Sequence, residues 1–262
     1  MKSIFVWYAT LVLTSLKSAT SRRLAFLFSV LMMVTNNLLF FVTWWIIYQK
    51  TPSIGGWEFR DVQLLMGITT FSYGLCVLLF FGAGKLSDEI LHGGLDTYLM
   101  APRNTMLSVS SSKCNITGLG DIITGLILLG IGVNSPTEAV LCIFFCMTGA
   151  FIQFASTVLF HSIAFWLSGL REVSDLASST LLLLSSYPGS LFTGMVRVAI
   201  FTIIPAGFIT TLPVQVIRTL DPVGAAVIIG ATVGYLALAS WVFSRGLLRY
   251  ESGSRIDLGA QR

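Results

Sequence analysis

Long apolar runs alternate with short polar breaks along this chain, and the runs have the length of membrane spans. A helix needs about 20 apolar residues to cross ~30 Å of hydrocarbon. Six such runs can be drawn, over 24–48, 64–83, 116–133, 139–167, 190–212 and 223–243. The first closes on Trp44, Trp45 and Tyr48, an aromatic belt suited to a headgroup boundary. A short turn holding Pro136 separates the third from the fourth, and the fourth is long enough to tilt. The fifth contains Pro205. Over 205–213 two prolines and Gly207 break it, which predicts a re-entrant or kinked element before the sixth span.

The remaining segments are polar or mixed. Ile4, Trp7, Tyr8, Leu11 and Val12 recur at helical spacing, so 1–20 is expected to form an amphipathic helix on the membrane surface. Lys17, Arg22 and Arg23 follow that stretch without a small-x-small cleavage site, which argues against a signal peptide. Segment 86–112 is charged, glycine-containing and wedged between the second and third runs. Segment 171–187 is half polar and half leucine, and reads as an interfacial helix leading into the fifth span. The tail, 245–262, is polar. No internal repeat and no linker is visible, so a single transmembrane domain over 1–262 is expected.

Composition agrees with this pattern. Of 262 residues, 55% are hydrophobic and 11% charged, against about 25% charged in a soluble domain. The net charge of +4 matters less than its distribution. With six spans, one side receives Lys2, Lys17, Arg22, Arg23, Lys85, Arg103, Lys113, Arg171, Arg245, Arg249, Arg255 and Arg262. The other receives Lys50, Arg60 and Arg218. Basic residues collect on the cytoplasmic side of a membrane protein, so both termini and segment 86–112 are expected there, in a multi-pass inner-membrane protein. No block of Lys and Arg is dense enough to suggest nucleic acid.

Candidate chemistry is sparse. Gly84 and Lys85 hint at a phosphate loop, but Leu79 stands at the first glycine position and Leu86 follows the lysine, so the motif fails. The chain is expected to bind no ATP by that motif, to carry no cofactor or metal and to borrow its energy. Cys76, Cys114, Cys142 and Cys146 form no CxxC pair and read as small packing residues. Ser168 and His161 fall on one helix, with no glycine two residues before the serine, which leaves no protease-like pairing. His161 reads as a packed or hydrogen-bonded side chain. The sequon Asn115–Thr117 falls at the cytoplasmic membrane edge, where it is inert.

Asn36 and Asn37 sit in the middle of the first span, where polar groups bond neighbouring helices or contact substrate. Arg197 falls inside the fifth span, near Pro188 and Gly189. It is expected at that span's cytoplasmic mouth, either on a pathway or interface or snorkelling. Gly230 and Gly234, preceded by Ala226, form a GxxxG face that can pack within the subunit or against another. Asp88 and Glu89 favour the N-terminus of a helix in segment 86–112.

Two phrases carry a resemblance. After the second span stand Ile90, Gly93 or Gly94, Leu95, Asp96, Leu99 and Pro102. Further on stand Tyr187, Pro188, Phe192, Arg197, Pro205, Ala206, Phe208, Ile209 and Pro213. With these, nearly the whole chain resembles the ABC-2-type permeases, the membrane subunits of one class of ABC exporters, and within them a bacterial branch. The resemblance implies an all-α integral membrane fold: an N-terminal interfacial helix, six spans, a cytoplasmic coupling helix after the second and a broken extracellular element before the sixth. It implies coupling through Asp88, Glu89, Gly94, Leu95, Asp96 and Leu99 to a separate ATPase that binds the ATP, and pairing with an identical or sister six-span permease. Leu95 and Leu99, four apart, would share a docking face. The alternative is a non-ABC secondary transporter or channel subunit. Ion coupling usually uses membrane-embedded carboxylates, and Asp121 alone is a candidate.

Overall fold

The computed structural model describes residues 10, 13, 14, 23–100, 103–167 and 169–251. The interfacial helix expected over 1–20 falls almost wholly outside them, as do Pro102, Ser168 and the tail from 252 onward. Helix α1 (Arg23–Lys50) leads into a hairpin of β1 (Ser53–Ile54) and β2 (Trp57–Glu58), antiparallel, with Ser53 opposite Glu58. Helix α2 (Phe59–Phe80) starts where the Asp61 carboxylate accepts the Glu58 backbone N–H at 2.9 Å, closing its first turn. A 3-10 turn, Phe81–Lys85, carries it into the short helices α3 (Leu86–Leu91), α4 (Asp96–Leu99) and α5 (Thr105–Ser110).

Helix α6 (Gly118–Gly132) returns along α2, and α7 (Pro136–Ser162) runs back beside both. Ser135 caps α7 by accepting the Glu138 N–H, with Pro136 in its first turn, where a missing N–H is harmless. Helix α8 (Arg171–Ser185) packs along α7. After the short α9 (Gly194–Ala199), a π turn, Gly207–Thr211, continues into α10 (Leu212–Thr219). Asp221 then caps α11 (Pro222–Leu247), accepting the N–H groups of Val223 and Gly224 at 3.0 Å each.

Among the described residues, four helical stretches are long and apolar enough to cross a membrane: Leu24–Lys50, Phe59–Leu91, Pro136–Phe165 and Pro222–Leu247. Their outward faces are apolar, with Leu27, Leu31 and Leu39 of α1 each about 60% exposed, as lipid-facing side chains must be. The six expected spans are not all of this kind. The third, 116–133, is α6, which has 15 residues and rises about 22 Å, short of ~30 Å of hydrocarbon.

The fifth expected span, 190–212, is not a continuous helix. Gly194 takes a left-handed φ of +57°, Pro205 removes a backbone donor, and the Gly207 N–H bonds the Ile200 carbonyl at 2.8 Å across a reversal. Going in, Ser190 meets the hairpin at Gly55, and Ile200 joins Ile152, Leu181, Ala206 and Ile209 in a buried cluster midway along the bundle. Coming out, Arg218 at the end of α10 returns to the hairpin. The chain therefore enters from the hairpin end, turns at mid-depth and leaves by the same end. The kink anticipated from Pro205, Gly207 and Pro213 is present, and it takes in 189–204 as well.

Close packing centres on α2 and α6. A Cβ on Gly118 would lie 2.4 Å from the Gly74 carbonyl oxygen, and one on Gly125 would lie 2.9 Å from that of Gly67. Glycines let two helices touch backbone to backbone where the bilayer offers no hydrophobic drive for their association. Gly230 and Gly234 do no such work within the subunit: both are exposed, and a Cβ on either meets nothing within 4 Å.

The two ends differ in charge. Arg60 and Arg218 lie at the hairpin, where Arg60 pairs with Glu138 at 2.5 Å and Arg218 with the buried Asp61 at 3.2 Å. Lys85, Lys113, Arg171, Arg245 and Arg249 lie at or just beyond helix ends on the opposite side.

Candidate functional site

Helices α1, α2, α7 and α8 enclose a cleft of about 720 Å³. Its walls are apolar in part, with Met33, Phe40, Met66 and Phe80, but polar groups at membrane depth give it character. Asn36 and Asn37, singled out from the sequence, both line it. Asn37 Nδ2 donates to Asp121 Oδ1 at 2.7 Å, tying α1 to the first turn of α6. Asp121 is 1% exposed, and its Oδ2 has no hydrogen-bond partner among the described residues. Tyr73, Gln153 and Thr157 complete the polar wall.

The fourth wall was missed by the sequence reading. Asp175, Ser178, Ser179, Leu182 and Ser186 of α8 and its end face the cleft. Away from the cleft, Val173 and Leu176 are more than half exposed. The amphipathic pattern of 171–187 is real, but its polar face turns inward to the cleft and not outward to headgroups as an interfacial helix would. The signal was readable as spacing of three and four, because those positions share one helix face. What the polar stripe would face was not.

Beneath the cleft, at the end opposite the hairpin, a polar cluster joins three elements. Ser87 of α3 lies 2.9 Å from His161 Nδ1 of α7, and His161 Nε2 lies 3.7 Å from Asp175 of α8. Arg171, which opens α8, reaches Asp88 of α3 at 2.7 Å and Asp175 at 3.9 Å. His161 is thus the hydrogen-bonded side chain expected. The segment that follows the second span is in this way wired to a wall of the cleft.

That segment folds back on itself. Glu89 receives a hydrogen bond from Lys113 Nζ at 2.8 Å, which holds the lysine's pKa above its ordinary value. The left-handed turn falls on Gly93, at φ +74°, while Gly94 leaves room for the Glu89 carboxylate. Asp96 sits beside Tyr250, whose hydroxyl is pushed up to about 12 by burial and then by that carboxylate.

Leu95 corrects the sequence reading. It is fully buried, packed with Leu86, Ile90, Met106, Val109 and Phe154, and cannot present itself to a partner. Leu95 stands just before the single turn of α4, and despite the four-residue spacing it is buried while Leu99 is not. Leu99 is 43% exposed, and Met100 and Leu107 join it on the surface. Arg197 is corrected as well. It is exposed on α9, between Ser190 at the hairpin and the mid-depth Ile200, and not at a mouth on the opposite end.

Among the described residues, no group of three His, Cys, Asp or Glu side chains is placed to hold a metal ion. Apolar helices around a polar cleft, with a charged helical segment at one end, define a membrane subunit built for transport. The chain belongs to the ABC-2 family: it matches the family described as ABC-2 family transporter protein over residues 30–254, from α1 to beyond α11. It is a multi-pass membrane protein of the permease type, a membrane subunit of an ABC transporter and not its catalytic part. No curated protein and no solved structure matches it.

Proposed function

We propose that this chain is the permease subunit of an ABC exporter, moving substrate out through the cleft with energy from ATP bound and hydrolysed by a separate subunit. The observation that carries the reading is the Asp88–Arg171 pair at 2.7 Å. It joins the segment between the second and third spans to α8, which walls the cleft. A push on that segment moves the wall. The permease supplies contacts that differ between states, and the ATPase supplies the free energy.

In this reading 86–112 is the coupling region, on the cytoplasmic side with both termini, and the hairpin and re-entrant element face outward. Asp88 and Glu89 anchor the region through Arg171 and Lys113. Gly93 and Gly94 turn it, Leu95 holds it to the core, and Asp96 ties it to Tyr250. Leu99, Met100 and Leu107 form the face offered to the ATPase. A second permease, identical or a sister chain, completes the pathway, and the open Gly230–Gly234 face is one place for it to pack.

The test is purification of the full chain from its native membrane with its ATPase, followed by ATP hydrolysis. The chain alone is expected to hydrolyse none, and the complex to hydrolyse ATP. Leu99→Asp and Met100→Asp are expected to reach the membrane at wild-type level and to lose the ATPase, because a charge in a docking face is left unpaired. An ATPase retained by both variants at wild-type yield would overturn the assignment.

A further inference from the structure

We infer that the cleft takes a lipophilic organic cation, whose charged group pairs with Asp121. This rests on the transport reading above and adds the class of substrate to it.

The argument starts from a carboxylate with too few partners. Asp121 is 1% exposed, in a helix whose other residues are mostly apolar. A buried charge in a membrane protein normally meets an opposite charge, water or several hydrogen-bond donors. Asp121 has one neutral donor, the Asn37 amide, and Oδ2 has none among the described residues. The other charges of the cleft do not answer it. Asp175 faces Arg171 and His161 at the foot of α8. Lys85 lies over the Phe81 ring, 6.0 Å from its centroid.

The neighbouring walls suit a cation with an apolar body. Phe40, Tyr73 and Phe80 line the cleft, and aromatic faces attract cations. Met33 and Met66 add flexible, polarisable surface that adapts to differing shapes. A volume of about 720 Å³ lies within the range of small-molecule sites. Asn37 then has a definite part. Its amide occupies the carboxylate in the empty cleft, and an arriving cation displaces it, exchanging a neutral hydrogen bond for an ion pair. Because Asn37 belongs to α1 and Asp121 to α6, binding also breaks this hydrogen bond between the two helices.

The experiment uses the full chain in phosphatidylcholine nanodiscs, with empty nanodiscs as background, and reads fluorescence polarisation of three related dyes. Rhodamine 6G is a cation, rhodamine B a zwitterion and fluorescein an anion. Rhodamine 6G is expected to bind saturably and at least tenfold more tightly than the other two. Tetraphenylphosphonium should displace it, and decyl maltoside should not. Asp121→Asn should weaken it at least tenfold, while Asp121→Glu and Asn37→Ala keep the preference for the cation. Equal affinity for the three dyes, displacement by the maltoside, or wild-type binding by a folded Asp121→Asn chain would each overturn the proposal. Should Asp121→Asn not fold, dye preference and displacement on the wild-type chain decide the matter alone. The dye assay needs no ATPase, and the ATPase test needs no dye, so the two readings fail separately.

Discussion

At the scale of single residues, Leu95 and Arg171 separate holding from coupling. Leu95 is buried among apolar neighbours, and Leu99 is 43% exposed. Leu95→Asp is expected to destabilise the folded subunit by several kcal/mol, on the order of 3–5, because the carboxylate is buried without a partner. Its membrane level and melting temperature should fall, whereas Leu99→Asp should melt within a degree or two of wild type. A reversed order would mean that the segment is not packed as described. Arg171 is 44% exposed at its side chain, so its ion pairs with Asp88 and Asp175 contribute little to stability, about 0–1 kcal/mol. Arg171→Ala should keep the ATPase bound and the melting temperature near wild type, yet lower the stimulation of ATP hydrolysis by a cleft ligand. Full stimulation in the variant would show that force reaches α8 by another route.

At the scale of elements, glycines decide which helices meet. The α2–α6 contact depends on Gly74 and Gly118, where an added Cβ would fall 2.4–2.6 Å from a carbonyl oxygen of the facing helix. Gly118→Leu should force the two helices apart, at a cost of about 1–3 kcal/mol or more, and appear as a lower melting temperature of the subunit. Gly230→Leu and Gly234→Leu meet open space. They should leave the subunit's melting temperature unchanged and lower only the yield of cross-linked permease pairs, if α11 packs against a second copy. Equal cross-linking in the variants would place the pairing face elsewhere. The re-entrant element belongs to this scale too. Pro205, Gly207 and Pro213 announce a break, but the depth of the reversal is set by where Ile200, Ala206 and Ile209 find burial, against Ile152 and Leu181 of two other helices.

At the scale of the whole molecule, charge gives direction. Arg60 and Arg218 mark the hairpin end, and Lys85, Lys113, Arg171, Arg245 and Arg249 the other. In a background without the four native cysteines, Ser53→Cys should react with an impermeant thiol reagent on intact cells. Met100→Cys, at a position 81% exposed, should react only once the membrane is opened. The opposite pattern would invert the molecule and remove α3–α5 from reach of a cytoplasmic ATPase.

The sequence by itself determined that the chain lives in a membrane, which stretches form its longest helices and where the charged segment lies, and its Lys and Arg counts set the expectation for that segment's side. Those properties depend on hydropathy, length and counts of Lys and Arg, which neighbours in space do not alter. It also announced Asn36 and Asn37, because a polar group inside an apolar run is conspicuous. Only the tertiary structure decided that α8 turns its polar stripe inward, that Leu95 is core while Leu99 is surface, that Gly74 and Gly118 are contacts while Gly230 and Gly234 are open, and that Asn37 meets Asp121 across 84 positions of chain. For the three that concern membrane helices the physical reason is shared. In a bilayer, lipid and protein interior are equally apolar, so the pattern that separates inside from outside in a soluble protein carries no such distinction here. Which face of a helix meets lipid, protein or a cleft is settled by the neighbours that arrive when the chain folds.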